Sequence, residues 1–425
     1  MKKVELLAPG GSLQKLKYAI EYGANAVYLG IPDFSLRVRI NKFNQKILKE
    51  GVDYAHSCKK KVYITLNIYA HNRHLPGIEK HLGWLGSLVI DAIIVSDPGI
   101  ILMIKKHLPK VDIHLSTQAN ATNWQAVKFW KSIGVKRVIL AREVSLGEIR
   151  EIRKKVPGME LEYFVHGAMC MSYSGRCILS KWMTGRSGNL GDCAQPCRWG
   201  YRGARSVERG TKEMKVVDDM ERFEMDVEED QHGTYFFNSY DMNLLEHVDE
   251  LIEAGVTSLK IEGRAKSAYY VAVVTRAYRK VIDAVNKKAD KKTVRKIILE
   301  QKRELEKLAH RGYSTGFLLG DEPKHNFENK LNEPGWKFVG EVGAIHELPI
   351  GEVGDFGVWV RVHNVIFLKD KLEAITPEKN FPLKIKKILD HEGREVQSAH
   401  GGHDKKYYFQ FDKKIQSASL LRKII

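Results

Sequence analysis

Along residues 1–264, apolar positions gather into short blocks separated by longer amphipathic stretches. The blocks are Glu5–Ala8, Ala26–Gly30, Val62–Asn67, Ala92–Asp97, Asp112–Thr117, Arg137–Ala141, Leu161–His166 and Ser258–Glu262. Each spans four to six residues and most are rich in β-branched types. Continuous apolar runs of this length predict parallel strands buried on both faces. The stretches between them carry helical spacing. Leu13, Leu16 and Ile20 line one face of Leu13–Tyr22, and Asn123–Ile133 and Ser145–Val156 behave similarly. Ser145 with Glu148, following Val144, has the form of a capping box. Eight strands alternating with helices predict an α/β fold, a TIM-like (β/α)8 barrel, with a doubly wound open sheet as the competing arrangement.

The rhythm breaks once. About 90 residues separate the seventh block from the eighth. This interval predicts an insertion at about 168–235, with a mixed-charge stretch, Arg205–Asp230, and a possible extra strand, Thr234–Asn238. After the eighth block, Tyr269–Val285 and Val294–His310 have helical periodicity. From about Lys330 the texture changes to short alternating segments, Phe338–Val342, Gly357–Val362, Leu383–Leu389 and Lys406–Phe411, between turns rich in Gly and Asp. The expected organisation is a barrel over 1–325 and a small all-β domain over 330–425.

Composition narrows the function classes. At 43% hydrophobic, the 425-residue chain is globular rather than disordered. It holds no apolar run long enough for a transmembrane helix, so no membrane partner is expected. Met1–Leu7 lacks a long apolar stretch, which makes the cytoplasm the expected compartment. The formal charge is +17. Asn326–Ile425 holds sixteen Lys and Arg against fourteen Asp and Glu, so fifteen of those excess charges lie upstream. A basic excess confined to one domain suits a polyanionic partner, because each neutralised phosphate releases counterions.

Four of the five cysteines fall within 28 residues, as Cys170, Cys177, Cys193 and Cys197, with spacing C-x6-C-x15-C-x3-C. In a chain expected in the cytoplasm, such a group reads as metal ligands rather than disulfides. Thiolates suit an iron–sulfur cluster or zinc. Zinc ribbons use C-x2-C knuckles, and none occurs here. The looser spacing, with Arg176 and Lys181 nearby, favours a 4Fe–4S core, whose negative charge cations and backbone N–H groups offset. Cys58 stands alone and reads as a helix residue without a role.

Polar residues follow most of the strand candidates, and in a barrel those positions converge on one mouth. Arg37 and Arg39 follow the second, Asn67 the third and Asp97 the fourth. Gln118 and Asn120 follow the fifth, Arg142 and Glu143 the sixth, His166 the seventh, and Glu262 and Arg264 the eighth. Arg37, Arg39, Arg142 and Arg264, with Asn67 and Gln118, are candidates to bind an anionic substrate. His166, Glu262 and Asp97 are candidates to move protons. Two other patterns carry less. Gly312–Gly316 fits G-x-S-x-G, yet a helix precedes it and an apolar run follows, the reverse of a nucleophile elbow. His400 and His403 sit in a Gly-rich turn. No H-E-x-x-H, Walker loop or G-x-G-x-x-G is present.

Glu162, Phe164, Gly167, Ala168, Cys170, Cys177 and Ser180 together resemble the hallmark E-x-F-x-x-G-[AS]-x-C-x6-C-x-x-S of the collagenase-like peptidase family thirty-two, of unassigned catalytic type. Glu5–Ser12, Phe34–Arg39, His114–Asn120 and Leu259–Arg264 match the same family, and the resemblance covers nearly the whole chain. Within it, the chain is most similar to the prephenate-dependent tRNA uridine hydroxylase branch. That resemblance implies oxygen-independent hydroxylation of a wobble uridine to 5-hydroxyuridine, with prephenate as donor, tRNA as partner and a 4Fe–4S cluster. In one ubiquinone-pathway relative, two cluster ligands match Cys193 and Cys197 and the others lie elsewhere. Some members carry a collagenase label, so a peptidase remains the alternative. A zinc-stabilised RNA-binding protein without catalysis is the second alternative. The sequence leaves the oligomeric state open.

Overall fold

The computed structural model describes residues 3–31, 34–35, 43–170, 172–199, 201–203, 214–218, 224–227, 229–230, 233–234, 239–320, 332, 334–343, 357–402 and 406–425. Eight parallel strands close a barrel: β1 (Glu5–Pro9), β2 (Ala26–Gly30), β3 (Lys61–Leu66), β4 (Ala92–Val95), β5 (Asp112–Leu115), β6 (Arg137–Ile139), β7 (Glu160–Ala168) and β8 (Ser258–Ile261). Each strand pairs with the next, and β8 pairs with both β7 and β1. That double pairing rules out the open sheet, which would leave two edges. Every block expected from the apolar pattern is a strand, within one or two residues at each end.

Helices α1 (Leu13–Glu21), α2 (Gln45–Ser57), α3 (Leu75–Leu85), α4 (Pro98–His107), α5 (Trp124–Ser132) and α6 (Leu146–Lys155) follow the first six strands. Side-chain caps from Ser12, Asn44, Asp97, Asn123 and Ser145 fix where five of them begin. Ser145 and Glu148 form the expected capping box. After β7 comes the cysteine-bearing loop with a short helix, α7 (Leu179–Thr184). Then α8 (Val248–Glu253) leads into β8, and α9 (Ala268–Asn286) and α10 (Lys291–Leu305) complete the outer ring. Gly233–Thr234 is strand, whereas residues 235–238 of the expected extra strand lie outside the described residues. A short strand, Asp241–Asn243, runs antiparallel along the end of β7 and heightens the wall there. Tyr313–Ser314 pairs beside it, so Ser314 sits in a sheet margin followed by turns rather than a helix over residues 315–320.

Inside the barrel, below the mouth, the filling is charged. Arg137 on β6 reaches Glu5 (2.5 Å), Glu160 (2.8 Å) and Glu162 (3.0 Å). Lys260 on β8 closes the chain of charges onto Glu162 at 2.8 Å. Tyr63 and Ser258 donate to Glu5 at 2.6 and 2.9 Å.

The C-terminal domain is a closed antiparallel barrel. Its strands neighbour one another in the order Trp336–Val342, Gly357–Val362, Lys406–Phe411, Asn380–Leu389, Lys371–Ile375 and Leu420–Ile424. Val339, Val360, Ile388, Phe409 and Phe411 fill its core. Polar contacts tie it to α1, α9 and α10. The Tyr22 hydroxyl donates to the carbonyls of Ile375 (2.7 Å) and Ala418 (3.0 Å). Arg422, fully buried, meets Glu304 at 2.9 Å and Glu373 at 2.6 Å.

Candidate functional site at the barrel mouth

The ends of β2 to β8 and the cysteine-bearing loop enclose a cavity of about 140 Å³, room for a small organic molecule rather than a single water. Its floor is Lys260, at the top of the interior charge chain. Burial pulls the Lys260 amine below its ordinary range, even though Glu162 opposes that pull. The faces of Tyr28 and Phe164 lie 4.6 and 5.3 Å from the ammonium. Nearby on β5, burial and the cations Arg137 and Lys260 hold His114 well below the usual histidine range, so it is neutral there.

The polar wall comes from β3 and β5. Asn67 donates to Ser116 and Gln118, both at 3.1 Å, and Ser116 donates to Gln118 at 2.6 Å. Arg264 donates to Thr65 at 2.9 Å. Gly11 and Gly30 let this arginine into place. A Cβ on Gly11 would stand 2.0 Å from the Arg264 carbonyl oxygen, and one on Gly30 would press on the side chains of Ser35 and Arg264. Across the cavity, Arg142 stacks over Phe164 at 3.9 Å. Arg142 is only 8% exposed and its Nε has no hydrogen-bond partner. The enclosed hydroxyl of Ser172 is likewise unpaired.

All four cysteines line this cavity and none forms a disulfide. Burial pushes the Cys197 thiol up to about 11; Arg198 opposes this, while Cys170, Cys193 and Cys177 add to it, which places the four thiols in one electrostatic neighbourhood. Ser180 holds the loop in shape. Fully buried, it donates to the Arg186 carbonyl (2.7 Å) and accepts from Ala194 N–H (2.8 Å), joining the segment of Cys177 to that of Cys193. The backbone N–H of Gln195 points at the Cys193 sulfur, 3.3 Å away. Among the described residues, no group of three or more His, Cys, Asp or Glu side chains stands so as to hold a single metal ion.

Of the residues expected from sequence, Asn67, Gln118, Arg142, Glu262, Arg264 and the four cysteines meet at this cavity. Asp97 does not. Its carboxylate accepts from Ile100 N–H at 3.0 Å and caps α4, away from the lining. His166 also lies behind the wall. A register shift opposite Lys260 and Ile261 interrupts the alternation of β7, and the ring packs among Tyr270, Tyr278 and Tyr313. Burial lowers it to about 3, so it carries no proton near neutral pH. Arg37 and Arg39 lie outside the described residues. Lys260, Thr65, Ser116 and Ser172 are lining residues that the end-of-strand reading did not single out.

A closed (β/α)8 barrel here carries four thiols and buried cations at the C-terminal ends of its strands, the place where barrel enzymes carry their active sites. The chain belongs to the family described as Peptidase family U32, whose model matches residues 11–328, with the family's C-terminal domain matching 334–422. It is 42% identical to the Haemophilus influenzae "tRNA hydroxylation protein P", over 94% of this chain and 92% of that protein. It is 35% identical to the Escherichia coli "23S rRNA 5-hydroxycytidine C2501 synthase", over 67% of this chain and 40% of the other. A Porphyromonas gingivalis protein named "Collagenase" is 31% identical over 74% of this chain and 73% of its own length.

Proposed function

We propose that this protein is a tRNA-modifying enzyme that hydroxylates a wobble uridine to 5-hydroxyuridine without molecular oxygen. Its donor is a small multiply charged anion, prephenate in the most specific form of the reading. One observation carries it: the four cysteines and the buried cations Arg142, Arg264 and Lys260 face the same small cavity. Relatives named for tRNA hydroxylation and for rRNA hydroxycytidine synthesis support the reaction class.

The donor set fits an iron–sulfur cluster. It offers four soft thiols, no disulfide, and a backbone N–H, that of Gln195, on the Cys193 sulfur. Four soft thiolates without a C-x2-C knuckle are the donor set on which the cluster is preferred to zinc. When bound, the cluster supplies an iron able to polarise an oxygen-bearing group.

The chain's own residues bind and orient. Arg142 lines the enclosed site and has a buried donor without a partner, a group matched to a carboxylate oxygen. Arg264, fixed by Thr65, offers a second cation. Glu262 lines the cavity and is the remaining candidate to hold or move a proton; His166 and Asp97 are engaged elsewhere. Lysines and arginines of the barrel half hold the tRNA backbone, and the target base flips into the mouth. A peptidase would need an activated nucleophile or a metal-bound water here, and Ser314 has no elbow to present it.

The test is the tRNA itself. Deleting the gene removes 5-hydroxyuridine and its derivatives from wobble positions in nucleoside mass spectrometry, and unchanged wobble uridines sink the reading. Anaerobic purification should yield a brown protein with absorbance near 400 nm and about four iron and four sulfide per chain.

A further inference from the structure

The loop that carries the cysteines shows two faces. Inward, Ser174, Ser180 and Met183 are buried and the thiols line the cavity. Outward, three large apolar side chains are exposed within ten residues: Tyr173 (58%), Ile178 (75%) and Trp182 (70%). The other exposed large apolar residues are spread over the described surface, the ordinary pattern for a globular protein. Trp182 is the one exposed tryptophan among the described residues. Ile178 and Trp182 stand four positions apart, so they share one side of α7.

Basic residues interleave with them. Arg176 and Lys181 are exposed, and Arg176 is steadied by a 3.1 Å bond from its Nε to the Gln118 carbonyl. From Cys170 to Trp199 the chain holds four basic residues and a single acid, Asp192, which pairs with Arg186 at 3.1 Å. Aromatic faces between cations form the recognition chemistry of unpaired nucleic acid. Every base can stack on an aromatic ring, and the cations follow the phosphates. A duplex hides its base faces and has no use for exposed rings. A protein partner would be expected to meet an apolar patch of less uniform charge.

We propose that Tyr173, Ile178 and Trp182, with Arg176 and Lys181 between them, form the docking surface for the single-stranded RNA loop that carries the target base. The inference rests on the RNA-modifying reading and extends it. The loop nucleotides beside the target stack outside, on the same chain segment whose inner side holds the thiols. A base flipped inward therefore stays close to its stacked neighbours.

The experiment uses the full chain, purified anaerobically, and two RNA probes: a hairpin with an unpaired loop, and the same stem as a plain duplex. Trp182→Ala and Tyr173→Ala should each weaken hairpin binding in fluorescence anisotropy by at least about five-fold, the smallest effect expected of a lost base–ring stack. Trp182→Phe should restore most of it, and duplex binding should not change. Phe129→Ala removes an equally exposed ring on the outer helix α5 and should have no effect. Because these rings are exposed, melting temperatures should stay at the parent value. Wild-type hairpin affinity in both Trp182→Ala and Tyr173→Ala overturns the proposal. So does full restoration of 5-hydroxyuridine in the deletion strain by a Tyr173→Ala, Trp182→Ala double variant, an outcome that leaves the hydroxylase reading standing. Conversely, Trp182-dependent hairpin binding by a protein whose deletion leaves wobble uridines unaltered keeps the docking surface and removes the hydroxylase.

Discussion

The lower interior of the barrel and its mouth are both built from charged and polar side chains, and they are finished in opposite ways. Below, Arg137 stands among Glu5, Glu160 and Glu162, and Lys260 closes on Glu162. Every carboxylate there has a cation, and hydroxyls fill remaining acceptor sites. Above, Arg142 and Ser172 leave enclosed donors without acceptors, and four thiols line one cavity without a disulfide. Burying charge is tolerable only when it is paired, so the lower layer holds the fold together. An enclosed donor without a partner has a free-energy cost that a ligand can recover. The same barrel thus separates a layer that completes itself from a layer completed by something it binds.

Five changes would break or sharpen that contrast. The largest effect is expected at the thiols. Cys177→Ser or Cys193→Ser should abolish iron retention and wobble hydroxylation together, by iron and sulfide counting beside nucleoside mass spectrometry, while the barrel stays folded by circular dichroism. Next is Arg137→Met, which leaves carboxylates buried without their cation. It should cost about 3–5 kcal/mol in denaturant unfolding, unlike any mouth substitution.

The same layer makes a pH prediction. Burial alone would push the Glu5 carboxyl up, but Arg137, helped by Tyr63 and Ser258, outweighs it and holds the group below the ordinary range. A carboxylate lowered in the folded state contributes stability above its unfolded value and loses it as pH falls through the folded one. The wild type should therefore lose stability in acid below pH ~4, and Glu5→Gln, already weaker at neutral pH, should show a flatter profile in that window.

At the mouth, Arg142→Gln should raise the apparent KM for the anionic donor about 10–100-fold, the value of one to two charge-assisted hydrogen bonds, with kcat changed less and the melting temperature unchanged. The smallest effect is expected at Asp97→Ala. It should cost about 1 kcal/mol of stability through the lost cap on α4 and leave hydroxylation at the parental rate.

The barrel was legible because its strands are buried on both faces and so appear as uninterrupted apolar runs. The thiol site was legible in the number and crowding of its cysteines. Other features depended on geometry that sequence does not display. Asp97 followed a strand, as a mouth residue would, yet Pro98 directly after it is the mark of a helix start, and capping won. His166 was expected at the mouth from its place at the end of the seventh strand, and the register shift in β7 turned it toward α9. Lys260 was hidden inside an apolar run, where a charged residue signals an interior ion pair. In the C-terminal domain, Lys371–Ile375 is composed of helix-favouring residues, and Leu420–Ile424 looks too charged for a core strand until Arg422 is seen buried on Glu304 and Glu373.

The closure of the barrel also sets an order of events in time. β1 meets β8 across 253 residues, from Glu5 to Ser258, and β8 follows the whole cysteine-bearing stretch in the chain. A ribosome releases all four thiols before it releases the strand that seals the wall beneath them. Contacts across so long a loop form late and slowly. For an interval during every round of synthesis, then, the thiols are exposed while the cavity has no complete floor. For the proposed iron–sulfur site, a strain starved of iron at that moment should accumulate chains that have closed with the thiols empty, and pulse-labelling with iron restored before or after chain completion would show which comes first.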